Sequence, residues 1–168
     1  KSCDTYFYEM GIKLGIDRIS DYMTKMGFGE KTGIDIHEES SAVMPSRGWK
    51  RARHNQPWYP GDTVPLSIGQ SYWTTTPIQL AVATSVQLNE GKLATPHMVT
   101  AFSNDSQSTV LAPPLKQVIE VVNPRNWQVV MDTMHKTVTD IGGTAHRAFL
   151  GAAYDSAGKT GTAQLAAI

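Results

Sequence analysis

The stretch Gly158-Lys159-Thr160-Gly161-Thr162-Ala163 constrains this chain more than any other. Its two glycines leave the backbone open to close approach, and a cation with two hydroxyls in consecutive positions can hold a carboxylate or a carbonyl. A segment built this way has to run where a ligand can reach it, on an edge or rim rather than inside a core. The same tripeptide in isolation is usually a turn with a solvated lysine. The chain carries its own comparison, because Lys31-Thr32-Gly33 repeats the letters in a stretch broken by Gly27, Gly29 and Gly33. We read Lys31 as a turn lysine, so only surroundings can separate the two copies.

Those surroundings favour the second copy. Ser2-Cys3-Asp4 has the Ser-x-polar form that accompanies Lys-Thr-Gly and a Ser-x-x-Lys nucleophile in acyl-transfer enzymes. Further blocks are Gly27-Phe28-Gly29-Glu30-Lys31-Thr32-Gly33-Ile34-Asp35, Pro57-Trp58-Tyr59-Pro60-Gly61-Asp62, Ser67-Ile68-Gly69-Gln70-Ser71-Tyr72-Trp73 and Thr75-Thr76-Pro77-Ile78-Gln79-Leu80. On these residues the chain resembles the transpeptidase domain of the class B penicillin-binding proteins, and within them the penicillin-binding protein 2 group of Gram-negative bacteria. The resemblance covers nearly the whole chain and is weakest between about Thr100 and Val118.

The resemblance implies an α+β fold of the β-lactamase and penicillin-binding transpeptidase type. Residues 1–168 would be the C-terminal part of that domain, mainly its helical lobe plus the edge strand bearing Lys-Thr-Gly. One departure shapes the reading. Only Ser156-Ala157-Gly158-Lys159 fits Ser-x-x-Lys by its letters; its lysine already belongs to Lys-Thr-Gly, and two glycines make a poor helix start. The nucleophile and its helix are therefore expected upstream of Lys1, and further sheet strands downstream.

By the same resemblance the activity is peptidoglycan D,D-transpeptidation during cell elongation, with acylation by β-lactam antibiotics. A serine would attack the carbonyl of a D-Ala-D-Ala stem peptide, expel D-alanine and leave an acyl-enzyme that a neighbouring amine resolves. Ser2, Asp4 and Lys159 are the implied catalytic residues, and Thr160, Gly161 and Thr162 the substrate-binding ones. Aspartate stands at residue 4 where asparagine is commoner, and it can only accept hydrogen bonds when ionised. A serine β-lactamase would share the motifs and hydrolyse the acyl-enzyme; a β-lactam sensor would be acylated without turnover. Elongation-complex membrane proteins are the implied partners, and a periplasmic position below an inner-membrane anchor the implied location. The chemistry requires no cofactor. Cys3 has two readings, a small buried hydrophobe or, by resemblance, a ligand of a structural zinc whose acidic and histidine partners lie upstream.

Fifteen basic and fifteen acidic residues cancel in the 168-residue chain, which gives no reason to expect nucleic acid or an anionic membrane as partner. No apolar run reaches the roughly 18 to 20 residues of a membrane span. Helical spacing predicts one helix from Asp4 to Leu14 and another from Asp17 to Gly27. Between Glu38 and Asp62, Pro45, Pro57 and Pro60 predict irregular chain, with Lys50, Arg51, Arg53 and His54 as a solvated basic loop folded back by Trp49, Trp58 and Tyr59. Thr63 to Trp73 reads as extended. Thr76-Pro77 starts a buried helix running to about Glu90, and Asn123-Pro124 starts an amphipathic one carrying Trp127, Val130, Met131, Met134 and Val138. Lys92 to Phe102 reads as a strand broken at Pro96, Asn104 to Ser108 as a polar turn, and Tyr154 to Leu165 as the catalytic strand. Proton transfer needs close approach, so Ser2 and Lys159 are predicted within about 4 Å of each other.

Overall fold

A computed structural model of the chain describes residues 1–104, 108–112 and 114–163. These form two compact units, a central one of Tyr8–Glu120 and a terminal one that joins Lys1–Phe7 to the chain from Val121 onward.

The elements of the central unit begin with helix α1, Asp4–Lys25, whose first turn belongs to the terminal unit. Gly15 (φ 75°, ψ 158°) interrupts it, so the expected pair of helices is present with its break two residues before Asp17. Ile16 and Ile19 of the second half enter a core with Phe28, Met44, Trp58, Leu66 and Ala83. Phe28 meets Trp73 edge to face at 5.1 Å between centroids, a favoured aromatic geometry. Gly29 is required here. Its φ of +79° suits glycine, and a Cβ would stand 2.6 Å from that of Met44.

The expected irregular and extended stretches contain two helices. Helix α2 spans Arg47–His54 and helix α3 spans Pro60–Leu66. Ser46 Oγ accepts the Trp49 N–H to cap α2, and Asn55 ends it in the left-handed region at φ 52°. Proline density did not forbid α3, because Pro60 occupies the first turn, where a missing N–H costs nothing. The basic stretch is not uniformly solvated. Arg51, Arg53 and His54 are exposed, whereas the Lys50 side chain is 2% exposed and its Nζ donates to Asp62 Oδ2 at 2.5 Å.

Helix α4, Pro77–Leu88, starts as its Thr76-Pro77 signature predicts. Gln79 N–H donates to Thr76 Oγ1, Thr76 N–H donates back to Gln79 Oε1, and Gln79 Nε2 donates to the Glu30 and Ser41 carbonyls at 2.8 Å each. One fully buried amide thus caps α4 and fastens two loops to it. The helix is one-sided rather than apolar all round: Gln79, Val82, Ala83 and Val86 are buried, while Leu80 and Leu88 are 51% and 55% exposed.

Among the described residues, four short strands complete the unit. Strand β1 (Lys92–Leu93) pairs antiparallel with β4 (Lys116–Gln117), and β2 (Ala101–Ser103) with β3 (Ser108–Val110). The strand expected across residues 92–102 is thereby divided between two ladders. The turn expected at residues 104–108 lies partly outside the described residues, and its last residue opens β3.

In the terminal unit, helix α5 runs Arg125–Thr139. Asn123 Oδ1 accepts the Arg125 N–H at 3.0 Å, so the expected start is displaced by about one residue while Pro124 takes helical dihedrals. Trp127 and Val138 are buried, but Val130, placed on the same face by spacing, is 42% exposed. A short 3-10 helix follows at His146–Phe149. The catalytic strand expected at Tyr154–Leu165 is not formed over residues 155–163, and its last two residues lie outside the described ones. A strand exists by its ladder; here the Gly158 N–H turns instead to the Met134 carbonyl on α5, at 3.1 Å. Among the described residues no helix is long and apolar enough to cross a membrane.

Candidate active site

The candidate site is assembled within the terminal unit from three pieces of chain: residues 2–4, the turn after α5, and the segment bearing Lys159. The turn is shaped by Gly143. A Cβ there would lie 2.2 Å from the Thr137 carbonyl oxygen, so only glycine lets the chain double back onto the end of α5. The Gly143 N–H donates to the Asp140 carbonyl at 2.7 Å and the Ala145 N–H to that of Thr137 at 3.1 Å. Thr144 is held between these two bonds, and its hydroxyl meets the Thr160 hydroxyl at 2.9 Å. With Gly158 bonded to α5, the Lys-Thr-Gly segment is anchored at two points on one helix and its turn.

Lys159 Nζ then reaches Ser2 Oγ at 3.4 Å and donates to the Thr160 carbonyl at 2.5 Å. The chain separation is 157 positions, and the predicted approach of these two side chains is observed. Because Ser2 accepts from an ammonium, its own hydroxyl proton remains to be donated elsewhere. Ser2, Lys159 and Thr160 are all exposed. At Gly158 and Gly161 an added Cβ would meet nothing within 4 Å among the described residues, so a ligand can approach the backbone from that side.

Asp4 is the first residue of α1 rather than its N-cap, where a carboxylate faces the positive end of the helix dipole. Among the described residues it forms no ion pair with Lys159. Thr162 lies two residues beyond Thr160 on the same exposed segment. Ser156, the only Ser-x-x-Lys serine by its letters, sits in chain without helix, and its Oγ is shielded from solvent with no hydrogen-bond partner among the described residues. Thr144 is the contact that sequence reading missed, since nothing in the sequence gives its pairing with Thr160.

Cys3 is exposed, not the buried hydrophobe that is usual for a free cysteine. Hydrogen bonding to the Thr5 hydroxyl, and after it to the Tyr6 N–H, draws its thiol below the ordinary range. Among the described residues, no group of three or more histidine, cysteine, aspartate or glutamate side chains gathers at Cys3 or elsewhere to hold a metal. The residues present do not fit a zinc site.

Comparison with known proteins gives agreeing results. The family model "Penicillin binding protein transpeptidase domain" matches residues 1–167. Peptidoglycan D,D-transpeptidase MrdA of Escherichia coli K12 is 41% identical over 165 residues, covering 98% of this chain and 26% of MrdA. The crystal structure of Pseudomonas aeruginosa PBP2 in complex with WCK 5153 superposes with a TM-score of 0.85 at 43% identity, over 96% of this chain and 36% of that one. PBP2 of Helicobacter pylori, in a complex with MreC, gives 0.84 at 36% identity, over 96% of this chain and 29% of that one. The chain thus spans about a quarter of the length of the curated relatives it matches.

Proposed function

The chain belongs to the penicillin-binding protein transpeptidase family, and from that membership we propose that it supplies the Ser-x-Asp and Lys-Thr-Gly walls of a peptidoglycan D,D-transpeptidase site. The observation that carries the reading is the Lys159 to Ser2 contact of 3.4 Å, across 157 positions. The attacking serine comes from a Ser-x-x-Lys element outside residues 1–168. Its Oγ bonds to the carbonyl carbon of the penultimate D-alanine, the C–N bond breaks, and the serine proton passes to the departing D-alanine amine. An acceptor amine then attacks the ester carbonyl, the C–O bond to the serine breaks, the amine's proton returns to the serine oxygen and the new amide closes the crosslink.

Ser2 suits the relay of that proton. It holds an ammonium on its oxygen and keeps a hydroxyl proton to hand to the leaving group. Lys159 supplies positive potential where charge develops, while Thr160 and Thr162 bind the terminal carboxylate beside open backbone at Gly161. Asp4 adds negative charge at the start of α1, two residues from Ser2. Acyl transfer of this kind needs no cofactor, and no step is routed through a metal at Cys3. The domain works on the periplasmic face of the inner membrane, on stem peptides, with a partner of the kind that the Helicobacter pylori PBP2–MreC complex exemplifies.

Two substitutions in the full-length protein test this. Lys159→Ala lowers the rate of acylation by a fluorescent penicillin by about 10² to 10³, the loss expected when a donor at a charge-developing site is removed. Lys31→Ala leaves that rate within about twofold. Equal losses from both, or none from Lys159→Ala, would sink the assignment. The fate of the adduct decides the enzyme class: crosslinking supports transpeptidation, whereas rapid hydrolysis or a permanent adduct without crosslinking activity would replace it with a β-lactamase or a sensor.

A further inference from the structure

The first Lys-Thr-Gly copy is not used by that mechanism, yet it borders an open cleft of about 530 Å³ on the central unit. Lys25, Lys31 and Lys116 line this cleft, with Glu30 as the one acidic side chain among its described walls. Lys25 is paired with Asp21 at 2.7 Å. Lys31 and Lys116 have no ion-pair partner within 4 Å among the described residues. Two lysines of the same lining are therefore outside any direct ion pair, although Lys31 lies close enough to Glu39 to help lower its carboxyl, and a lining with more lysines than carboxylates is the electrostatic footprint of an anion site.

The neighbouring backbone already shows a preference for carboxylates. Glu39 accepts the Thr32 N–H at 2.7 Å, the Thr32 hydroxyl at 2.5 Å and the Gly33 N–H at 3.1 Å. This saturates the donors of Thr32 and Gly33 and leaves the lysines to any further ligand. The remaining walls select among anions. Val82, Leu93 and Val118 give the cleft an apolar side, Thr24 and Gln117 add neutral hydrogen-bonding groups, and Glu30 disfavours a dense polyanion. A volume of this size admits a small peptide segment.

We propose that this cleft is a docking site for an acidic peptide, one whose carboxylates meet Lys31 and Lys116 while an apolar side chain lies against Val82, Leu93 and Val118. The site is independent of the acyl-transfer machinery, because none of these residues belongs to the terminal unit.

Fluorescence anisotropy on the full-length protein tests the proposal. The probe is a fluorescein-labelled hexapeptide of alternating leucine and glutamate, at roughly 0.05 M salt where surface charges are weakly screened. Saturable binding is expected. It should weaken about tenfold in Lys31→Gln/Lys116→Gln, each exposed pair contributing a factor of about five at most, with penicillin acylation unchanged. The charge-reversed Lys31→Glu/Lys116→Glu protein should instead prefer a leucine–lysine hexapeptide. Four results would overturn the proposal: no saturable binding, equal binding by the double variant, equal binding of a leucine–glutamine hexapeptide, or stronger competition by inorganic triphosphate than by the unlabelled acidic peptide.

Discussion

Replacing Lys50 with methionine should be among the most damaging single changes in the central unit. The methionine keeps most of the apolar stem but leaves Asp62, whose side chain is 17% exposed, without the ammonium that stood 2.5 Å away. Breaking a buried pair by deleting one partner costs about 3 to 5 kcal/mol. Asp62 retains the Tyr59 N–H at 2.7 Å and some solvent, which places the loss near the lower end, about 3 kcal/mol. The ammonium also lies 4.8 Å from the Tyr59 ring centre, 5.7 Å from that of Tyr72 and 5.8 Å from that of Trp58, and loss of that attraction adds about 1 kcal/mol. Urea unfolding of the full-length protein, followed by tryptophan emission, should show this as a midpoint lowered by about 1 to 3 M. Adding Asp62→Asn removes the orphaned charge while keeping an acceptor for Tyr59, so the double variant should regain at least about 2 kcal/mol, a coupling of the size seen between groups in direct contact. The pH dependence gives an internal check. Burial pushes the Asp62 carboxyl up, but the hydrogen bond from Lys50 and the Tyr59 N–H outweigh it and hold it below the usual range. Without Lys50 its folded value rises, so the deficit of the variant should be largest near neutral pH and shrink as Asp62 is protonated. A single variant costing under about 1 kcal/mol, or a double variant as unstable as the single one, would refute the reasoning, since removing a buried charge's only cation is costly while removing both partners is often nearly neutral.

Gly143→Ala forces backbone to move, because its Cβ would lie 2.2 Å from a carbonyl oxygen, whereas Gly142→Ala meets only the flexible Lys1 side chain at 3.1 Å. Penicillin acylation should fall about 10- to 100-fold in the first, on the scale of a misplaced catalytic segment, and about twofold or less in the second; similar rates for both would disconnect the turn from the site. Glu39 is held below the usual carboxylate range by the Thr32 hydroxyl and then by backbone N–H groups, and Asp35 by the Met98 and Val99 N–H groups. Each has a folded value below its unfolded one, so each contributes stability that is fully present above the unfolded carboxylate range near pH 4 and lost as pH falls through the folded value. Thermal midpoints of Glu39→Gln and Asp35→Asn should therefore fall less than those of the parent protein between about pH 5 and pH 3, and an unchanged slope in both would exclude these groups as acid-sensitive ties.

What could be read from the sequence was set by how local each cause is. Thr76-Pro77 fixed a helix start because the cap and the proline act on the residues beside them, and the break in α1 was legible because Asp17 opens a second helical pattern, while the left-handed Gly15 that makes the break was not singled out. The α2 and α3 region was misread because proline density masks the local starts at Ser46 and Pro60, and because the pair that ties the two helices together joins residues twelve positions apart. Lys50 looks like one of four solvated basic residues until Asp62, twelve positions on, folds against it under three rings. The strand at Tyr154–Leu165 is expected from the resemblance and from alternation, and alternation specifies a face but not a ladder partner. The meeting of Ser2 with Lys159 came from family resemblance rather than from any local signal, and the pairing of Thr144 with Thr160 had neither.

The two Lys-Thr-Gly copies show why a tripeptide cannot carry function by itself. Both offer a cation, a hydroxyl and backbone beside glycine. In the first, Gly33 turns at φ +80° and the Thr32 donors close on Glu39, six or seven residues further along, so the chain supplies its own carboxylate. In the second, Gly161 takes no left-handed turn and has open space beside it, the threonine hydroxyl is braced sideways by Thr144, and the lysine points to a serine from the far end of the sequence. An internal ligand converts the motif into a loop fastener, and its displacement would leave an anion site. In the proposed function, holding the motif by its flanks on α5 and the following turn, with no described residue against Gly161, leaves the carboxylate to be brought by a substrate. The chemistry of the three residues is the same in both places, and the difference lies in which groups the rest of the chain brings within reach.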